Sequence, residues 1–269
     1  MTHSAGTGCA IGRSASGFQT RRLAPRRPGA YVGPVDATGG SMANETDGRP
    51  PRGLLARLRR DRRRPGWSLA DPAARRRAWW HYILADHALL RHRWTNMAEI
   101  APGVWRSNHP THARFAALSA QGIRTIINLR GDNGAPPWLF ARESCEALGL
   151  RLIAVRLQAR QAPERDQVLA LFDAFRSAER PFLMHCKSGA DRAGFASALY
   201  VLWSGGSMEQ ARQHLSWRYL HVRGSRTGVL DHVLDLYAAA RDRTGIGVEE
   251  WFRDAYDADA AQAGFDRRR

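Results

Sequence analysis

Pro181-Phe182-Leu183-Met184-His185-Cys186-Lys187-Ser188-Gly189-Ala190-Asp191-Arg192 is the run on which the fold turns. Pro181 to His185 reads as a short apolar strand, the next residues as a small polar loop, and Ala193 to Trp203 as a helix. A strand-loop-helix of this kind aims successive backbone amides at one point beside a helix N-terminus, where an anion is favoured. Cys186 opens the loop, where the helix dipole, the loop amides and Arg192 all favour thiolate over thiol. Its pKa is therefore expected in the range of reactive cysteines, roughly 3.5 to 7.5, and Cys186 is the candidate nucleophile. Arg192 closes the loop with a planar donor fork that matches two phosphate oxygens. Gly189 permits close backbone approach, and Lys187, Ser188, Gly189 and Ala190 are the expected phosphate-binding positions.

Outward from this run, strands and helices alternate. Gly103 to Arg106 reads as a short strand, Thr111 to Gln121 as a helix opened by a Thr cap, and Ile123 to Leu129 as a buried β-branched strand. A loop from Gly131 leads to a helix over Pro137 to Leu148, ended by Gly149, and then to a strand over Leu150 to Leu157. Pro163 to Ala178 carries Val168, Leu171, Phe172 and Phe175 at helical spacing. Helices are expected over Met208 to Trp217 and Thr227 to Ala240, and a frayed acidic one over Val248 to Ala261. The pattern predicts an α/β fold with a mostly parallel central sheet flanked by helices.

The chain has 269 residues, 41 basic against 25 acidic side chains, and a net charge of +16. The charge is uneven: the residues through Arg93 include 18 arginines and 6 acids, so the high charge describes an N-terminal arm more than the body. Residues 1 to 51, rich in Gly, Ser, Ala, Pro and Arg, are expected to be disordered, and Met42 offers an alternative start to Met1. Residues 52 to 98 form a basic, aromatic segment. Seven arginines lie between Arg52 and Arg64, followed by Trp79, Trp80, Tyr82, Ile83, Leu84, Leu89 and Leu90. Two readings stand for it: a helix whose aromatic face docks on the core, or a segment lying on an anionic membrane surface.

Cys9, Cys145 and Cys186 are too few, and wrongly spaced, for a disulfide framework or a zinc site. No apolar run is long enough to span a bilayer and no signal segment is visible, so the chain reads as soluble and cytoplasmic, or peripheral at the inner membrane surface. His81, His87, His92, His109 and His112 match no metal-ligand spacing. The basic arm is an electrostatic footprint without a module that reads nucleic acid, so no specific nucleic-acid partner is expected.

His185-Cys186-x5-Arg192, with its glycine, preceding strand and following helix, resembles the signature of the cysteine-dependent protein tyrosine phosphatase superfamily. Val104-Trp105-Arg106-Ser107-Asn108-His109-Pro110 and Gly122 to Arg130 resemble the opening of the atypical dual-specificity phosphatases of plants, fungi and bacteria. The resemblance spans about Pro102 to Tyr237 and implies a phosphatase domain over 99–243, with 244–269 as a C-terminal helix and tail. It implies a dual-specificity-phosphatase-like fold, attack by Cys186, a cysteinyl-phosphate intermediate, and no metal or other cofactor. Its substrates would be phosphorylated protein or a small anionic phosphate, such as an inositol phosphate or a phospholipid headgroup. A phosphate-binding pseudophosphatase is the reading from another class.

Two departures from the family pattern matter. Ala193 stands where Ser or Thr usually follows the loop arginine, and Gln158-Ala159-Arg160-Gln161 occupies the stretch where the general-acid Asp is expected. Asp191, in the loop as in myotubularin-like phosphatases, is the candidate acid, with holding Arg192 as its other role. Asp132 and Asp166 are weaker candidates, and Glu164 and Asp166 suit a helix start. Lys187, the chain's one lysine, is expected to contact a second phosphate or a carboxylate of the substrate or to stand exposed beside the anion site. The Trp217 to Arg226 stretch either extends the anion surface or packs on the core.

Overall fold

The computed structural model describes residues 66–269. The stretch expected to be disordered, 1–51, and the arginine run up to Arg64 lie outside the described residues.

Five short strands form the sheet: β1 Ala98–Ala101, β2 Val104–Ser107, β3 Thr125–Asn128, β4 Arg151–Ala154 and β5 Phe182–His185. Their spatial order is β1-β2-β5-β3-β4, with β1 antiparallel to β2 and every other pairing parallel. The sheet is thus mostly parallel, as the alternating pattern implied. Register places Ser107, His185 and Asn128 in one row at the carboxyl ends of three neighbouring strands. The loop that begins at Cys186 therefore leaves the middle of the sheet at the edge where open α/β sheets bind ligands.

Before the sheet comes α1 Pro72–Trp80, capped by Asp71, whose side chain accepts from the Ala74 amide at 2.8 Å. Within the sheet region lie α2 His112–Ala120, α3 Pro136–Leu148, α4 Arg165–Ser177 and α5 Asp191–Trp203. Then follow α6 Met208–Arg212, α7 Val229–Thr244, α8 Val248–Asp254 and α9 Ala258–Asp266. Alternation along β5 divides the core. Phe182 and Met184 join the larger cluster, which includes Phe172, Phe195, Leu199 and Phe252, while Leu183 joins Phe115, Ile126 and Trp138. No helix among the described residues is long and apolar enough to cross a membrane.

Four elements differ from the sequence reading. The acidic helix expected over Val248 to Ala261 is two helices, because Asp257 caps a fresh start by accepting from the Ala260 amide at 2.8 Å. The helix expected from Met208 to Trp217 stops at Arg212. Ala-Glu-Ile-Ala at β1 lacks an alternating pattern and gains its strand form from pairing with β2. The aromatic stretch after α1 is a π-helical turn, His81–Ala85, and a 3₁₀ turn, Ala88–His92, with His87 between them at φ 57°.

The C-terminal helices are bound into the core. Phe252 is fully buried with its ring 6.2 Å from that of Phe172, and the Tyr256 hydroxyl donates to the Pro163 carbonyl at 2.9 Å. Phe252→Ala should lower the urea-unfolding free energy by about 3–5 kcal/mol within a single transition. A separate early transition for the C-terminal region would contradict that packing.

Candidate active site

Cys186 emerges from β5 almost fully buried, and its sulfur accepts from the Gly189 amide at 3.2 Å. The loop closes directly into α5, which starts at Asp191, so Sγ lies beside a helix N-terminus. Gly189 has φ 76°, and a Cβ there would stand 2.7 Å from the Asn108 nitrogen and 2.9 Å from the Ser107 carbonyl carbon. Only glycine meets both conditions.

Arg106, wholly buried on β2, braces the loop from beneath. Its guanidinium donates to the carbonyls of Gly189, of Ala190 at 3.3 Å and of His214 at 2.8 Å, and stacks on Tyr219 at 3.8 Å. Burial pulls its pKa down to about 10, against the favourable charges of Tyr219, Cys186 and Asp191, so it remains a cation at neutral pH. Carbonyls drawn down onto Arg106 leave the adjoining amides free to face an anion above.

Behind the nucleophile lie two buried imidazoles, His185 and His109, packed edge to face with centroids 4.7 Å apart. Burial lowers the His185 pKa to about 3 and places that of His109 well below its ordinary value, so both are neutral. His185 Nδ1 lies 3.4 Å from the Cys186 carbonyl. The histidine of the motif is therefore a packed neutral ring.

The N-terminal segment packs beside the loop. Asp86, between the two short helical turns, is buried and accepts from both Arg130 Nη atoms, at 2.7 and 3.0 Å, and from Arg91 Nη2 at 2.7 Å. Burial opposes its ionisation, but Arg130 and then Arg91 hold its carboxyl below the ordinary value. Lys187 Nζ stands 3.8 Å from Asp86 Oδ1 and 3.5 Å from the Ala85 carbonyl. The carboxylate that Lys187 meets is thus one of the chain's own. Asn96 Nδ2 donates to the carbonyls of Ser188 and Tyr219, both at 3.0 Å, tying this segment to the loop.

Asp191 is also partnered. Its Oδ1 lies 2.8 Å from His221 Nδ1, while His221 Nε2 lies 2.7 Å from Asp231 Oδ2. The His221 side chain is 0% exposed. With a carboxylate at each nitrogen, both nitrogens carry protons. Burial opposes the charge, yet the bonds to Asp191 and Asp231 raise the pKa to about 9.

Above the loop opens a cleft of about 1140 Å³. Lys187, Ser188, Asp191 and Arg192 line it together, so these four expected site residues meet there. Arg130, Arg156, Arg160, Arg226 and Arg269 add charge. Gln158 and Gln161 also line it, whereas Asp132, Glu164 and Asp166 do not. Asp132 Oδ1 accepts from the Gly134 amide at 3.3 Å, and Glu164 and Asp166 begin α4. Among the described residues no group of His, Cys, Asp or Glu is arranged to hold a metal ion. Sequence reasoning missed Arg106 and Asp86. The available signals were a charge on an otherwise buried strand and the lone acid of residues 72–98 outside Glu99's hairpin. His221 was noticed only within a basic stretch, and Asp231 not at all.

Residues 90–226 match the family model described as DSP-PTPase phosphatase fused to NAD+ kinase, and the chain belongs to that family. It is 27% identical over 118 residues to the dual specificity protein phosphatase TpbA of Pseudomonas aeruginosa, a match covering 43% of this chain and 50% of the relative. The chain thus spans about half the length of the curated relatives it matches. Among solved structures, that of P. aeruginosa TpbA matches with a TM-score of 0.43 at 18% identity, over 64% of this chain and 91% of the other. The core catalytic domain of the PP-IP phosphatase SIW14 from S. cerevisiae matches with a TM-score of 0.44 at 17% identity, over 56% and 93%.

The raised pKa of His221 has a signed consequence for stability. Its contribution is complete below the unfolded-state value near 6.5 and is lost as pH rises through about 9. Between those limits the wild type should lose on the order of 2 kcal/mol more than His221→Gln in parallel denaturation curves. Curves with equal slopes against pH would refute the charged bridge.

Proposed function

We propose that the chain is a phosphomonoester hydrolase working through a cysteinyl-phosphate intermediate. The observation that carries this reading is the buried Cys186 sulfur accepting from the Gly189 N–H, in a loop whose Lys187, Ser188, Asp191 and Arg192 line the cationic cleft. In the first step the thiolate forms an S–P bond as the ester P–O bond breaks and the leaving oxygen departs with its electron pair. Arg192 and the loop amides stabilise the phosphoryl oxygens through that transfer. In the second, water attacks phosphorus, the S–P bond breaks, and thiolate and inorganic phosphate are released.

Asp191, facing an imidazolium, is assigned to the second step as a carboxylate that accepts the proton of the attacking water. This differs from the leaving-group acid expected from its position, and it rests on the His221 bond. Lys187, Ser188, Gly189 and Ala190 are the proposed phosphate-binding positions.

The substrate reading that follows from the family is a phosphotyrosyl or dual-specificity protein substrate. A small polyphosphorylated substrate, such as an inositol phosphate, is the second reading, favoured by Arg130, Arg156, Arg160 and Arg226 around the cleft.

Cys186→Ser should abolish turnover of an aryl phosphate while inorganic phosphate still binds. Substantial residual turnover would overturn the covalent route, and an inert wild type would leave the phosphate-binding pseudophosphatase. In Asp191→Asn, rapid mixing should show a full burst of phenol followed by a steady rate about 10²-fold below wild type. A burst slowed according to leaving-group pKa would instead make Asp191 the acid.

A further inference from the structure

All eight exposed large apolar residues among the described side chains fall in two segments: Trp79, Trp80, Leu84, Leu89 and Trp94 in one, and Trp217, Leu220 and Val222 in the other. Leu89 is 65% exposed and Trp217 72%. The segments are far apart in sequence, yet both are tied to the phosphate loop. Asn96 Nδ2 bridges the carbonyls of Ser188 and Tyr219, and Lys187 reaches the Ala85 carbonyl. Leu84, Leu89, Trp94, Trp217, Leu220 and Val222 therefore lie on two segments fastened to the same loop, outside the lining of the cationic cleft, where core packing does not explain their exposure.

The charges among them have one sign. Residues 79–94 and 217–226 contain a single acid, Asp86, which is buried and paired. Arg93, Arg218, Arg223 and Arg226 are exposed within the same stretches. Indole rings and leucines between outward arginines match the boundary of an anionic bilayer, where rings settle at headgroup depth and guanidinium groups meet lipid phosphates.

We infer that these two segments dock the protein on anionic lipid membranes. The docking is independent of the identity of the substrate. It takes up the membrane reading of the aromatic segment, while Tyr82, packed inward against Phe140 with the neighbouring tryptophans and leucines outside, keeps part of the core-docking one.

The test is sedimentation of the full chain with vesicles of phosphatidylcholine alone or mixed with phosphatidylserine. Wild type should pellet with the mixed vesicles and release at high salt. The combined Trp217→Ala, Leu220→Ala and Val222→Ala variant should lose about tenfold in partitioning, and so should Leu84→Ser with Leu89→Ser. Both variants should hydrolyse a soluble aryl phosphate within about twofold of wild type, since none of these side chains belongs to the phosphate site. Undiminished pelleting of both variants would assign attachment to the arginine run before residue 66 and overturn the proposal. Pelleting indifferent to phosphatidylserine, or no pelleting at all, would overturn it as well. Loss of aryl-phosphate turnover by wild type would instead strike the hydrolase reading and leave the docking result intact.

Discussion

Everything at the cleft depends on which way a few peptide units face. The loop after Cys186 must show its amides to an anion, so its carbonyls have to be satisfied on the other side, away from water. Arg106 does this from the middle of the sheet: a fully buried guanidinium accepts the cost of desolvation and returns it as fixed carbonyl orientation at Gly189 and Ala190. Gly189 is the counterpart constraint. Its left-handed backbone and the approach of Asn108 and Ser107 leave no space for a side chain.

Charge is arranged around this loop in separate closed groups. Asp86 gathers Arg91, Arg130 and Lys187, while His221 gathers Asp191 and Asp231. The first collects cations around one buried anion, and the second sets two anions about one buried cation. Directly behind the sulfur the structure instead places two neutral imidazoles. Cys145, packed among apolar side chains, is pushed up to about 12 by burial and then by Glu146. At Cys186 a loop amide is directed at the sulfur.

Much of this was legible in the sequence because it depends on local signals. The apolar run before Cys186, the glycine and the arginine define strand, loop and helix without help from elsewhere, and hydrophobic spacing located α4. What escaped depends on partners distant in the chain. Asp86 reads as one acid in a basic arm until folding brings Arg130 to it, and His221 reads as part of a cationic stretch until α7 presents Asp231. β1 likewise becomes a strand through its neighbour. The stretch read as one frayed acidic helix is divided by Asp257, which starts a second helix through its own cap.

The Asp86 group also orders events during synthesis. Asp86 leaves the ribosome first, then Arg91, then Arg130, and Lys187 only after the central strands have been made. β5 lies between β2 and β3, so until it is made no strand joins the two sides of the sheet, and the last member of the cluster arrives with the same strand and loop that complete the site.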